Sequence, residues 1–264
     1  MMQLNQVFTA GEVALVGAGP GAADLLTLRA VRLMEQADVV LYDRLVSDEV
    51  MAMLPAKCRR IDVGKKCGQH SVSQQRIGEL LVHYARQGLR VLRLKGGDPA
   101  IFARLGEELD ALNQAGIAYQ LVPGISAASG CAAAAGIPLT ERGQAQQLRF
   151  ISAVDQHSAT SQDWADLSTP NQTLVFYMGT AALGEISQQL QQHGLPADWP
   201  VLLVQQGCRP QQQILLTDLQ SAAEAAASLS TPCLIIIGQV ALRHQQMLDM
   251  AKCVPELAAA GQAA

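Results

Sequence analysis

The chain has 264 residues, a formal net charge of −4, a pI near 5.7 and a hydrophobic fraction of 49%. This length allows one large or two modest domains with sizeable buried cores. The acidic balance argues against a general nucleic-acid-binding protein, whose affinity would rest on a basic surface that neutralises phosphates.

The apolar segments and the spacing of the cysteines exclude further classes of protein. No run of about 18 apolar residues occurs, and the first residues do not combine a basic segment with a long apolar one, so we expect a soluble, cytoplasmic protein with no membrane partner. Six cysteines are scattered without a C-x-x-C pair. This usage predicts neither a zinc or other metal site nor a disulfide framework.

Short apolar runs alternate with helical patterns along the first half of the chain. The runs that we predict as strands are 13–16, 39–42, 60–63, 91–94 and 119–122. One intervening helix is expected over residues 73–87, capped by Ser73 and stopped by Gly88. This rhythm predicts an α/β fold with a mainly parallel sheet.

A second set of strand patterns follows residue 140. The predicted strands are 148–153, 174–178, 201–205, 214–217 and 234–237. We therefore expect two α/β domains, residues 1–140 and residues 141–264.

The stretch VGAGPGA at residues 16–22 fits the dinucleotide pattern G-x-G-x-x-[G/A], and Asp43 follows the next predicted strand. A pyrophosphate site also needs a helix that opens on the last glycines. Here the helix is predicted to begin later, with Asp24 or Thr27 as its N-cap. A phosphate at Gly19 would meet a loop, so an NAD-binding oxidoreductase is kept only as a distant alternative.

Three glycine clusters follow predicted strands, at residues 17–21, 95–99 and 123–126. Each lies at the carboxyl end of a strand, the edge at which open α/β sheets bind ligands. Glycine permits close approach of a ligand to the backbone, and Asp98 adds an acceptor suited to a hydroxyl or an ammonium group. Ordinary βα turns would use the same residues, so this alternative stays open for any single cluster.

Charged residues follow the second, third and fourth predicted strands. A carboxylate and an ammonium group from the neighbouring segments 42–47 and 62–70 could act as proton acceptor and donor if their surroundings shifted their pKa values towards neutrality. A local Asp43–Arg44 ion pair and a solvated basic loop are the alternatives. Arg104 and Glu107 fit either a helix pair or an anion clamp.

Taken in order, the motifs resemble the uroporphyrinogen-III C-methyltransferases of the tetrapyrrole methylase superfamily, over residues 13–240. The motifs shared across that superfamily are VGAGPG at 16–21, LKGGDPAIF at 94–102, VPGISAASG at 122–130 and YMG at 177–179. Those more specific to this member are YDRLVS at 42–47, GKKCGQHSVSQQRI at 64–77 and AAAAGIPLTERG at 132–143.

The resemblance implies two α/β domains that hold S-adenosyl-L-methionine in a cleft between them. The implied cofactor contacts are Pro20, Gly96, Gly97, Asp98, Ile101, Ser126, Ala127, Met178 and Gly207. Asp43 would be the proton acceptor and Lys65 the proton donor. The candidate substrate contacts are Arg44, Arg104, Glu107, Arg142 and Arg149, and Lys65 and Lys66 are further cations for the substrate's carboxylates.

The implied reaction methylates two pyrrole carbons of uroporphyrinogen III, giving precorrin-1 and then precorrin-2, with S-adenosyl-L-homocysteine as the other product. The resemblance also implies a homodimer, and the chain looks like the methyltransferase alone, without the further modules of some relatives. Leu105 and Glu141 depart from the usual pattern on the substrate side. A methylase of a later corrin precursor is the nearer alternative.

Overall fold

The computed structural model describes residues 7–64, 72–153 and 162–250. The chain divides between Ala127 and Ala128 into two compact units. Each unit contains one five-stranded sheet. The boundary predicted near residue 140 lies inside the second unit and stays a prediction.

The first sheet is parallel throughout, in the order β3-β2-β4-β1-β5. Its strands are β1 (Val13–Gly17), β2 (Val39–Tyr42), β3 (Arg59–Asp62), β4 (Val91–Lys95) and β5 (Tyr119–Val122). The predicted mainly parallel sheet is therefore confirmed.

The helices that begin in the first unit are α1 (Leu28–Gln36), α2 (Asp48–Ala52), α3 (Gln74–Arg86), α4 (Leu105–Gln114) and α5 (Ala127–Ala134). Thr27 caps α1, where its side chain accepts a hydrogen bond from Ala30 N, and Ser73 caps α3 in the same way. Gly88 follows α3 with φ of 75°. The predicted caps of both helices and the stop at Gly88 are confirmed.

Both faces of the first sheet are covered. On β1, Ala14 and Val16 pack into one core with residues of α1 and α2, whereas Val13 and Leu15 pack into another with residues of α3. Burial on two faces explains why the strands appear in the sequence as continuous apolar runs.

The second sheet is mixed, in the order β6-β7-β10-β8-β9. Its strands are β6 (Gln147–Ser152), β7 (Gln172–Tyr177), β8 (Pro200–Gln205), β9 (Gln213–Asp218) and β10 (Cys233–Ile237). Only β6 and β7 pair in parallel; the other three pairings are antiparallel.

Helices α6 (Trp164–Leu167), α7 (Leu183–Gln192) and α8 (Ala222–Ala226) belong to the second unit, and residues 243–250 are also helical. Residues of α6, α7 and α8 pack with the sheet into a separate core that includes Trp164, Phe176 and Ile235. Among the residues described, no helix has the length and apolar character needed to cross a lipid bilayer.

Candidate active site

The turns after β1, β4 and β5 meet at the carboxyl edge of the first sheet. Gly19 N donates to Gly97 O at 3.2 Å, and Gly97 N donates back to Gly19 O at 2.7 Å. A Cβ added to Gly17 would lie 2.5 Å from Gly124 N, and one added to Gly124 would lie 2.3 Å from Gly97 O. Close backbone packing therefore requires glycine at these positions and joins the three turns into one layer.

Gly97 differs from its neighbours because space remains beside it. Its φ is 68°, and an added Cβ would meet nothing nearer than Ala127 N at 3.7 Å. Gly96 is closed by contrast, since its added Cβ would lie 2.7 Å from Leu45 Cβ. A ligand at this edge can approach the Gly97 backbone, which is the property that the sequence predicted for the cluster.

Asp98 links the β4 turn to the β5 turn. Its Oδ1 accepts from Ala100 N at 2.7 Å and its Oδ2 from Gly124 N at 3.1 Å. Ile101 N in turn donates to Asp98 O at 3.1 Å. A carboxylate has about four acceptor positions, so Asp98 can hold both turns and still accept a bond from a ligand.

Other predicted contacts of the first unit lie on the same edge. Pro20 lies half-buried between the Gly19 bridge and Gly21, whose carbonyl accepts a hydrogen bond from Ser47 Oγ. Ser126 is buried in the loop after β5, and Ala127 begins α5.

The glycine turn does not open a helix. A short 3-10 helix covers Ala23–Leu25, and α1 begins only at Leu28. Asp24 lies in the 3-10 helix, and Thr27 is the N-cap of α1. The late start of α1 that the sequence predicted is confirmed, so the N-terminus of α1 does not lie on the last glycines of the turn.

The loop between β4 and α4 has a strained backbone. Phe102 and Arg104 have φ of 49° and 52°, a region that bulky side chains rarely occupy. Arg104 Nε and Nη2 each donate to Glu107 at 2.7 Å, and both side chains are more than half exposed. The predicted i,i+3 pair therefore forms, at the start of α4.

Asp43 lies after β2 and pairs with Arg93 of β4, not with the adjacent Arg44. Arg93 Nη2 donates to Asp43 Oδ1 at 2.6 Å, and the Asp43 side chain is 30% exposed. The local Asp43–Arg44 pair considered from the sequence is thus wrong, because the neighbouring strand offers Asp43 a closer partner. Arg44 is exposed, and its backbone packs against Gly64.

Beneath Asp43 lies a cluster of buried charges. Glu108 Oε1 of α4 accepts from Arg93 Nε at 2.9 Å and from Lys95 Nζ at 2.8 Å. Gln74 Nε2 of α3 donates to the same oxygen at 3.1 Å. Burial and the nearby Arg93 charge lower the pKa of Lys95. Together with Asp43, the two cations and Glu108 form a set with no net charge, which we call the buried charge cluster.

Sequence reasoning did not select Arg93, Lys95 or Glu108 as site residues. The strand VLRLK alternates apolar and charged residues, a pattern that usually indicates one solvated face. β4 is central, however, with β2 and β1 on either side. A central strand that carries two cations was the available signal.

The structure describes only part of the charged segment that follows β3. Gly64 N donates to Asp62 Oδ1 at 2.8 Å. Lys65 and Lys66, the predicted proton donor and a candidate cation, lie outside the described residues, so the catalytic pair is placed only at Asp43.

In the second unit, the two predicted cofactor residues lie in strained turns. Met178 follows β7 with φ of 58°, outside the strand in which the sequence placed it. Gln206 and Cys208, on either side of Gly207 after β8, have φ of 49° and 58°. Within the ranges that the structure describes, every positive-φ residue other than glycine lies in one of these turns or in the loop before α4. Strain of this kind concentrates at functional sites.

Gly207 packs directly on α5. An added Cβ would lie 2.3 Å from Cys131 Sγ. Burial raises the pKa of the Cys131 thiol to about 12, so this sulfur is neutral at physiological pH. The N-terminus of α5 is held by Tyr177, whose hydroxyl accepts from Ala128 N at 3.2 Å.

The two candidate substrate cations of the second unit lie apart from these turns in sequence. Arg142 is exposed in the turn closed by the Glu141–Ala145 bridge. Glu141 pairs with Arg243, which lowers the pKa of that carboxyl. Arg149 on β6 pairs with Asp166 of α6, and the pairing raises the pKa of Arg149. An anionic ligand at Arg149 would have to compete with Asp166.

Curated relatives of the chain include two named siroheme synthases. One, from Aeromonas hydrophila subsp. hydrophila, is 55% identical over 230 residues, which are 87% of this chain and 50% of that protein. The other, from Pseudomonas aeruginosa, is 53% identical over 232 residues, with the same coverage of both chains. The chain thus spans about half the length of the curated relatives it matches.

Solved structures extend the comparison. A uroporphyrin-III C-methyl transferase from Thermus thermophilus, complexed with S-adenyl homocysteine, matches with a TM-score of 0.74 and 38% identity over 87% of this chain and 98% of that one. A cobalt precorrin-4 methyltransferase has a TM-score of 0.77 at 24% identity and shows a shared fold. The family model described as tetrapyrrole (corrin/porphyrin) methylases matches residues 12–223. The chain belongs to the tetrapyrrole methylase family.

Proposed function

We propose that the chain catalyses S-adenosyl-L-methionine-dependent C-methylation of uroporphyrinogen III. Two pyrrole carbons are methylated in turn, giving precorrin-1 and then precorrin-2 with two molecules of S-adenosyl-L-homocysteine. The observation that carries the proposal is the meeting of three glycine turns at one sheet edge, beside a carboxylate that a buried arginine holds in place. The names of the Thermus thermophilus and siroheme synthase relatives support it.

The methyl donor is assigned to the glycine turns and their neighbours. S-adenosyl-L-methionine supplies an electrophilic methyl group on a positively charged sulfur. The space beside Gly97 and the remaining acceptor capacity of Asp98 suit the close approach of such a ligand. The proposed contacts are Pro20, Gly96, Gly97, Asp98, Ile101, Ser126, Ala127, Met178 and Gly207.

The protein's main task in this reaction is positioning, because the leaving group is already activated. Asp43 is the proposed acceptor of the proton that the substrate loses, and Lys65 the proposed donor. Arg93 occupies Asp43 Oδ1. The second oxygen, which makes no hydrogen bond to the described part of the chain, is the atom that would receive the proton.

The substrate's carboxylates require cationic partners. Arg44 and Arg104 are exposed in the first unit, and Arg142 is exposed in the second. We assign these three to the substrate, with Glu107 orienting Arg104 through their two hydrogen bonds. Arg149 joins them if substrate displaces Asp166.

A cytoplasmic location and a homodimeric state complete the proposal. The cysteines within the described residues, Cys58, Cys131, Cys208 and Cys233, are free thiols, as in a reducing compartment. The relatives' names favour siroheme as the destination of the product. Light scattering during size-exclusion chromatography tests the dimer.

The decisive test pairs calorimetry with a methylation assay. Purified chain is titrated with S-adenosyl-L-homocysteine and then incubated with labelled S-adenosyl-L-methionine and uroporphyrinogen III. We expect two labelled methyl groups per tetrapyrrole. Absence of transfer at saturating donor would refute the assignment, and transfer only to an already methylated precursor would favour the later-precursor alternative. Micromolar binding of NADH, followed by fluorescence, would favour an oxidoreductase.

A further inference from the structure

Burying the charge cluster costs folding free energy, so a role other than stability is needed to explain it. Arg93, Lys95 and Glu108 are at most 2% exposed. Charges removed from water lose hydration, and well-packed apolar residues often serve stability as well or better. Leu15 and Leu41 flank Arg93 in the neighbouring strands, so an arginine is not what the adjacent side chains of the sheet would call for.

The hydrogen bonds of Arg93 lead to one exposed group. Nε bonds to Glu108, Nη1 donates to the carbonyls of Leu41 and Leu94, and Nη2 donates to Asp43. The guanidinium is thus fixed on every side, and the carboxylate it holds is the only partly exposed member of the cluster. The buried guanidinium therefore fixes the position of the Asp43 carboxylate.

Glu108 anchors the arginine. Its Oε1 receives three donors, from Arg93, Lys95 and Gln74. α3 and α4, which carry Gln74 and Glu108, therefore determine where the guanidinium lies. Lys95 supplies the second positive charge, which balances Asp43 and Glu108 together.

We propose that Arg93 is a positioning residue for the methylation reaction, which fixes the Asp43 carboxylate at the carboxyl edge of the first sheet, with Glu108 and Lys95 as its buried anchor. The inference rests on the proposed function and deepens it. A planar guanidinium with a rigid set of donors suits this task, whereas a lysine ammonium is a single point that cannot reach Asp43 and Glu108 together.

The test is a double-mutant cycle between Arg93→Lys and Asp43→Asn, with kcat and KM measured for uroporphyrinogen III. In the wild-type background we expect Arg93→Lys to lower kcat by about 10- to 100-fold, because small displacements of a catalytic group have effects of this size. In the Asp43→Asn background the same change should alter the residual kcat, followed with a radiolabelled donor, by less than about twofold. Affinity for S-adenosyl-L-homocysteine should remain unchanged in all four proteins.

A matched control separates positioning from stability. Arg90→Lys disrupts the bidentate Arg90–Asp38 ion pair. Arg90 immediately precedes β4 and Asp38 immediately precedes β2, so this pair lies at the amino edge of the same sheet. It should lower Tm without lowering kcat. Glu108→Gln, which keeps an acceptor oxygen but removes the anchoring charge, repeats the cycle if Arg93→Lys does not fold.

The outcomes distinguish the two levels of inference. If the wild-type chain transfers no methyl group, the proposed function fails. If the wild type is active but Arg93→Lys lowers kcat by the same factor with and without Asp43→Asn, Arg93 does not act through Asp43 and the positioning role is refuted. The role is also refuted if Asp43→Asn leaves kcat unchanged.

Discussion

Adding one methyl group at Gly17 tests the packing of the three turns. In Gly17→Ala the new Cβ would lie 2.5 Å from Gly124 N, 2.6 Å from Gly124 Cα and 2.7 Å from Gly97 O. All three are main-chain atoms, so no side chain can rotate away. The backbone of the β4 or β5 turn must move instead.

The expected loss of stability in Gly17→Ala follows from the cost of overpacking a close-packed region, which is about 1–3 kcal/mol. For a domain of this size, each kcal/mol lowers Tm by roughly 2–4 °C, so we expect a loss of about 2–12 °C. Displacement of Gly97 should also weaken S-adenosyl-L-homocysteine binding by about tenfold, equivalent to about 1.4 kcal/mol.

Differential scanning calorimetry and isothermal titration measure the two effects. Gly184→Ala is the matched control, because its added Cβ would meet only Ala223 Cβ at an ordinary 3.7 Å. This variant should retain wild-type affinity and should not lower Tm, since alanine is favoured over glycine within a helix. Wild-type values for Gly17→Ala as well would refute the close packing of the turns.

Three further predictions address other parts of the chain. Asp98→Ala removes the carboxylate that accepts hydrogen bonds from Ala100 N and Gly124 N. Such bonds contribute about 1.5–3 kcal/mol each when the acceptor is charged, so calorimetry should show weaker binding of the methyl donor. Asp43→Ala, by contrast, should slow turnover and leave the affinity for the methyl donor unchanged. Unchanged affinity for Asp98→Ala would contradict the placement of the donor. Gly207→Ala should lower Tm through its contact with Cys131 Sγ, and adding Cys131→Ala should restore most of the loss; no recovery would count against that contact. Hydrogen bonds from Arg90 lower the pKa of Asp38 from 3.8 to about 2, so the pair stabilises the fold above about pH 4 and loses this contribution as pH falls towards 2. The Tm deficit of Arg90→Gln should thus be constant from pH 7 to 5 and shrink below pH 4, and a deficit still undiminished at pH 3 would argue against this linkage.

Strand positions could be predicted well because burial produces a strong signal. β2 and β5 have the predicted bounds, and the other eight strands differ by one or two residues at one or both ends. The apolar runs themselves carry no such signal for strand direction, which in the first sheet was predicted from the alternation of strands with helices. A buried apolar run is the same in either orientation, so the antiparallel pairings of the second sheet could not be derived.

The candidate site was predictable where it depends on glycine and less so where it depends on long side chains. The meeting of the turns follows from their shared position at strand ends. The partner of Asp43 lies 50 residues away on another strand, and no local pattern indicates it. The left-handed conformations of Phe102 and Met178 also lack a local cause, since these residue types avoid positive φ.

The buried charge cluster also limits how this sequence can change over evolution. Removing one member alone leaves an opposite charge buried without compensation, at a typical cost of about 3–5 kcal/mol, whereas replacing a whole buried pair is often neutral. As far as folding stability is concerned, change at Arg93, Lys95 and Glu108 must therefore pass through paired substitutions. A combinatorial library at these three positions, selected for folding stability and not for activity, should recover correlated substitutions, whereas neutral single substitutions should each destabilise the fold.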